Sequence, residues 1–190
     1  MADVTQHPSD EEGVITRVGA FADRDAWTAQ GWCSIERALE VVGTRSTMIL
    51  LREVYYGANR YEDLARRTGL SEAVTAGRLK QMVADGLLDR RPYREPGART
   101  RNEYVLTPRG RRLFPLVAAL MEWGGTLKEP NSGVELVHAG CGARLGTVVR
   151  CEKGHDVSLT ETEARIVVRE TKGNAAAEGS AAAKGSAAEE

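Results

Sequence analysis

The chain has 190 residues, with 26 basic against 27 acidic side chains, apolar residues at 42% and aromatics at 5%. That length suits one domain with an appendage, and so few aromatics favour a modest core over a large barrel or a doubly wound enzyme. No window approaches the ~18 consecutive apolar residues of a membrane span, and the acidic opening lacks the basic start and apolar run of a secretion signal, so the protein is expected in the cytosol.

Residues 1–30 carry Asp3, Asp10, Glu11, Glu12, Asp23 and Asp25 against only Arg17 and Arg24. They read as an acidic extension, partly ordered at best, in which the irregular spacing of Val14, Ile15, Val18, Phe21 and Trp27 supports no more than a short helix. A domain is expected over 31–128. Its first helix has Ile35, Leu39 and Val42 at helical spacing, with Ser34 as its cap and Gly43 as its interruption. Met48, Ile49, Leu50 or Leu51, Val54 and Tyr55 give a second apolar face ended by Gly57. A short third helix, 61–67, turns Leu64 and Ala65 inward before Thr68-Gly69. Ser71 caps a fourth, about 71–85, whose stripe is Val74, Leu79, Met82 and Val83 and whose end is Asp85-Gly86. The period then changes: 87–93 and 100–106 read as strands around a turn at Pro96-Gly97, a β-hairpin with a basic tip. Thr107-Pro108 has the form of an N-cap followed by proline at the first helical position, opening a helix that contains Leu113, Leu116, Leu120 and Trp123 and that Pro115 is expected to kink. A β-rich appendage is expected over 129–171. The Ala, Gly, Ser, Glu and Lys composition of 172–190 reads as a disordered tail, because nothing larger than Ala is there to offset the entropy of ordering it.

A short helix, a glycine-containing turn and a second amphipathic helix form a helix-turn-helix, and the basic hairpin directly after it makes the motif a winged one. The fold class is therefore mainly α with a small β-hairpin wing, plus a short β-rich C-terminal appendage. A helix that enters a major groove needs a polar or small outer face. Ser71, Glu72, Thr75, Ala76, Gly77, Arg78 and Lys80 lie largely off the apolar stripe and are the candidates for groove contact. Arg78 suits guanine or phosphate, Lys80 phosphate, and Ser71 with the free amides of the helix start a phosphate oxygen. Arg94, Arg99 and Arg101 suit the DNA backbone or the minor groove. Between 60 and 112 thirteen basic residues face seven acids, a basic excess within a neutral chain of the kind a polyanion-binding surface shows.

Cys33-Ser34-Ile35, Asn59-Arg60-Tyr61-Glu62-Asp63-Leu64, Gly69-Leu70-Ser71, Asp85-Gly86-Leu87 and Tyr104-Val105-Leu106-Thr107-Pro108-Arg109-Gly110, in that order, resemble the HxlR-type winged helix regulators of bacteria, relatives of the MarR group. The resemblance covers about 32–123. It implies a homodimeric transcription regulator in which terminal helices pair, here through Leu116, Leu120 and Trp123, and two recognition helices enter successive major grooves. This chain departs from the family at Gly43-Thr44-Arg45-Ser46, where Gly-Lys-Trp is usual, at Thr75, where leucine is usual, and at Gly77. Glycine inside a helix costs about 0.5–1 kcal/mol relative to alanine unless close approach to DNA or a neighbour offsets it.

The cysteine count is odd, which fits reduced thiols or a metal site better than a disulfide framework. Cys33, at a helix start where amides and the dipole favour thiolate, is a candidate redox sensor; the plainer reading is a small half-buried hydrophobe. His138, Cys141, Cys151 and His155 form H-x2-C-x9-C-x3-H, a spacing that offers four ligands to a structural zinc; two hairpin strands with incidental Cys and His are the alternative. No cofactor is otherwise required, and no phosphate-cradling loop, nucleophile elbow or His-Glu pair points to an enzyme. The expected partners are double-stranded DNA, a second copy, and a small-molecule or redox inducer, with no membrane. A protein-interaction module, or a thiol- or zinc-based redox protein using the winged helix as scaffold, remain the competing readings.

Overall fold

Short polar side chains open several of the helices by accepting the first unpaired amides. The computed structural model describes residues 14–23, 25, 33–94, 96–97, 99–127 and 133–167, and these fall into two compact units. One joins residues up to 28 with those from 157, and the other is 29–156.

In the larger unit, Thr44 accepts the Thr47 amide at 3.2 Å to start α2 (Arg45–Tyr55), and Ser71 accepts the Val74 amide at 3.4 Å to start α4 (Glu72–Ala84). α1 (Ser34–Val42) begins differently from expectation. Cys33 holds its N-cap without a side-chain cap bond, while the Ser34 hydroxyl accepts from Arg37 at 3.4 Å. Of the α1 stripe only Val42 is buried; Ile35 and Leu39 are exposed. α3 (Tyr61–Thr68) ends at Gly69, whose φ of 65° is the left-handed conformation that closes a helix at little cost for glycine.

β2 (Leu88–Tyr93) and β3 (Arg101–Leu106) pair antiparallel from Leu88 opposite Leu106 to Tyr93 opposite Arg101. The link before α3 adds to this hairpin: the Tyr104 amide donates to the Asn59 carbonyl at 2.7 Å, Arg60 bridges to Glu103, and the Asn59 amide group donates to the Glu103 carboxylate at 2.9 Å. Leu50, Leu51, Leu64, Leu79, Met82 and Leu87 are fully buried where α2, α3, α4 and the hairpin base meet.

The region after the hairpin is two helices rather than one kinked helix. Thr107 caps α5 (Pro108–Arg111) by accepting the Gly110 amide at 2.9 Å, while its hydroxyl donates to the Gly86 carbonyl at 2.6 Å. α6 (Phe114–Gly125) then starts afresh with Pro115 in its first turn. Proline has no amide to donate, which is harmless in a first turn and disruptive inside a helix, so the chain restarts here.

The appendage is less β-rich than expected. Within 133–156 the strand-like pairing consists of two isolated bridges, Val137 with Arg144 and Arg150 with Asp156. In the smaller unit, β1 (Thr16–Arg17) runs parallel to β4 (Glu163–Ala164). The expected short helix near the start is a single 3₁₀ turn, Gly19–Phe21. The tail at 172–190 and the first 13 residues lie outside the described residues.

Candidate nucleic-acid interface

α3, the turn at Gly69 and α4 form the helix-turn-helix, and the Tyr61 hydroxyl locks the start of α3 to the start of α4 by donating to the Glu72 carbonyl at 2.9 Å. Leu79 and Met82 point into the core, as their spacing requires.

The phase of the stripe differs from the expected one at its beginning. Thr75 is 0% exposed and Val74 is 44% exposed, so Thr75 belongs to the inner face with Leu79 and Met82. It is not available to a groove. Its hydroxyl is satisfied within the helix, donating to the Ser71 carbonyl at 3.0 Å, and a threonine bonded in this way packs much like valine. Thr75→Val is accordingly expected to change stability by no more than about 1 kcal/mol, the net worth of one hydrogen bond. DNA affinity should be unchanged in a fluorescence titration; a clear loss would return Thr75 to the contact surface.

Apart from the exposed Val74, the remaining outer face is polar or small. Ser71, Glu72, Ala76, Gly77 and Lys80 are exposed. Gln81, which no sequence pattern singles out, is exposed beside them and donates to Asp85 at 2.8 Å. Beyond its chain neighbours and the backbone of its own helix, no described atom lies within 4 Å of where a Gly77 side chain would begin, so packing against other elements does not require glycine there. Arg78 is half-buried, and its Nε is sheltered without a hydrogen-bond partner among the described residues.

On the hairpin Arg94 and Arg99 are exposed near the tip, whereas Arg101 pairs with Glu62 of α3 at 3.0 Å. The Arg60 guanidinium lies 4.7 Å from the Tyr93 ring centre, a cation–π contact that draws the middle of the wing toward α3. Arg60, Arg90 and Arg91 are exposed basic residues, of which Arg90 and Arg91 enter the sequence pattern only as charge. Residues 89–92 of β2 are all exposed, so two-residue alternation gives no clue to which of them matter.

Away from this surface, Leu116, Leu120 and Trp123 leave an exposed apolar row along α6, and Leu127 extends it. Cys33 is half-buried. The proposed zinc ligands fall into two separate turns. His138 Nδ1 is 3.2 Å from Cys141 Sγ, and the Cys151 amide donates to the His155 carbonyl at 3.0 Å. Among the described residues no three His, Cys, Asp or Glu side chains converge as a metal requires, so the expected four-ligand knuckle is not assembled. The reason is local: each turn closes on itself, with Arg144 paired to Glu135 and Arg150 to Asp156. Amides of the second turn, led by that of His155, hold the Cys151 thiol below the usual range. Among the described residues no helix is long and apolar enough to cross a membrane.

Comparison with known proteins points the same way as the geometry. Residues 41–132 match the family model described as HxlR-like helix-turn-helix. An uncharacterized HTH-type transcriptional regulator of Mycobacterium tuberculosis is 40% identical over 120 residues, 62% of this chain and 75% of the relative. The regulator YtfH of Escherichia coli is 35% identical over 92 residues, 48% of this chain and 71% of that one. Among solved structures, that of PA1607, a candidate transcription factor, aligns with a TM-score of 0.63 at 30% identity, covering 75% of this chain and 98% of the other.

Proposed function

We propose, for a chain that belongs to the HxlR-like helix-turn-helix family of DNA-binding transcriptional regulators, that two copies act together on double-stranded DNA, each setting α4 in a major groove. The observation that carries this reading is the outer face of α4, polar or small from Ser71 to Lys80 apart from Val74, beside a hairpin whose tip holds Arg94 and Arg99. Small residues let a helix backbone come close to the floor of a groove, and the open space around Gly77 is accounted for by such an approach. Ser71, Lys80 and the wing arginines suit phosphate oxygens. Arg78, half-buried on the same helix, suits a phosphate or guanine oxygen.

Pairing through Leu116, Leu120 and Trp123 would place two α4 helices on half-sites about one helical turn, or 34–36 Å, apart. The exposed row is apolar at i, i+4 and i+7, the seam of a helix that packs on a partner.

The test is binding of the purified protein to its own upstream intergenic DNA across a salt series. Arg78→Ala and Arg99→Ala should each weaken binding and reduce the slope of log K against log salt by about 0.9 for each phosphate no longer neutralised. Binding that ignores both substitutions would sink the proposed interface, and binding that ignores salt would shift the reading to a protein partner.

A further inference from the structure

α6 is apolar nearly all round, and three surfaces surround it. Val117 is buried in the core, with Leu113 and Met121 packed beside it. Leu116, Leu120 and Trp123 form the exposed row. The third face, carrying Phe114, Pro115, Ala118 and Glu122, looks onto the returning segment 134–148 across a cavity of ≈ 300 Å³. Both walls belong to the same compact unit.

The segment is held in place as the far wall. The Leu145 amide donates to the Leu136 carbonyl at 2.8 Å, the His138 amide to the Ala143 carbonyl at 2.8 Å, and the Thr147 amide to Glu122 Oε2 at 2.8 Å. Leu136, Leu145 and Val148 give that wall its apolar surface.

The charges around the opening do not cancel. Glu122, Glu135 and Arg144 line it. Arg144 Nε pairs with Glu135 at 3.2 Å, whereas Glu122 forms no ion pair among the described residues. The Thr147 hydroxyl and amide, with a smaller contribution from the nearby Arg144 charge, keep the Glu122 carboxyl below its ordinary range, so it is charged at neutral pH and held toward Thr147. An apolar cavity of a few hundred Å³ with a few fixed polar groups is the usual form of a small-molecule site.

We infer that the cavity between α6 and 134–148 is an effector site for a small lipophilic cation, its aromatic or branched body among Phe114, Leu136 and Leu145 and its ammonium against Glu122. The inference rests on the reading of the chain as a dimeric DNA-binding regulator. The helix that forms one wall of the site also carries the dimer row, so a ligand that displaces α6 changes the spacing of the two recognition helices.

Three probes with one phenylbutyl body separate the contributions: 4-phenylbutylamine, protonated at neutral pH, 4-phenylbutanol and 4-phenylbutyrate. Calorimetry on the full chain without DNA should rank them amine, then alcohol, then carboxylate, with the amine about tenfold tighter than the alcohol, as a hydrogen bond to a charged group provides. Glu122→Gln should erase that preference while the alcohol still binds. Ala118→Trp, which fills the cavity, should abolish binding of all three at an unchanged melting temperature. Because coupling is reciprocal, the amine should weaken DNA binding by at least about fivefold and DNA should weaken amine binding equally. No binding of the amine up to millimolar concentration, tighter binding of the carboxylate, or an amine preference that survives Glu122→Gln would overturn the site. Amine binding that leaves DNA affinity unchanged would overturn its effector role. A protein that binds the amine and no DNA would instead overturn the DNA-binding reading and leave the cavity assigned.

Discussion

Leu120→Asp should convert the protein into a well-folded monomer whose affinity for a two-half-site operator is lower by about a hundredfold or more, the usual worth of tethering one reading head to another. Leu120 is 45% exposed in the single chain, and its neighbours in the row, Leu116 and Trp123, are exposed as well. A carboxylate there meets water when the chain is alone, so stability of the monomer should barely change. In a paired structure the same carboxylate would be buried without a partner, which is far more costly than giving up the packing of a leucine. Sedimentation at micromolar concentration and DNA titration of the same sample check both halves. A variant that remains dimeric would remove α6 from the dimer contact; a wild-type monomer would remove the dimer itself.

Gly110→Ala should be the most damaging methyl addition in the helical unit. An added Cβ would collide with the carbonyl oxygen of Leu87 and crowd the Leu106 side chain. The carbonyl is backbone and cannot swing aside. It is also in use, because Thr107 binds it through its amide at 3.1 Å and its hydroxyl at 3.2 Å. On the other side of the glycine, the Gly110 carbonyl accepts from the Tyr55 hydroxyl at 2.6 Å, tying α5 to α2. Relieving the clash therefore means lifting α5 from the hairpin base or breaking its cap. An overpacked site of this kind costs about 3 kcal/mol, and a unit the size of 29–156 loses about 4 °C of melting temperature for each kcal/mol, where the scales for smaller and larger domains meet. A melt within about 3 °C of the wild type, less than that scale allows even for a single kcal/mol, would show that α5 yields easily. Gly77→Ala is the matched control: a Cβ there meets nothing within 4 Å, and alanine is the better helix former, so stability should rise by about 0.5–1 kcal/mol.

Much of this architecture is legible in the sequence because local chemistry and tertiary packing agree. Ser71 and Thr107 accept amides where their positions before amphipathic runs lead one to expect it. Leu64, Leu79 and Met82 are buried on helical spacing, and the hairpin is marked by the end of that spacing after Gly86 and by Pro96-Gly97. Reading failed where side-chain type misleads about environment. Val74 looks like core and Thr75 like surface, yet a threonine that bonds back to the Ser71 carbonyl is apolar from outside. At His138, Cys141, Cys151 and His155 the spacing states which residues share a turn, but not whether the two turns face each other. The cavity beside α6 is invisible for a related reason: residues 134–148 have no regular period, and only their return across α6 makes a wall of them.

The wing is not a loose arm. Its strand β3 is stitched to the Asn59–Arg60 link by the Tyr104 amide, and α3 holds it through Arg101 and Glu62. On the proposed interface Arg101 would share its charge between a phosphate and the Glu62 carboxylate, so Arg101→Ala is expected to reduce the salt slope less than Arg99→Ala. Hairpin and recognition helix should move as one reading head with little internal give, and in the proposed dimer tolerance for altered operators would lie in the joint between two heads. Each base pair inserted between half-sites turns one against the other by about 34–36°. A single insertion should thus be far more harmful than substitution of a base under the wing, and ten insertions, which restore the helical phase, should still demand a separation beyond the reach of the proposed dimer.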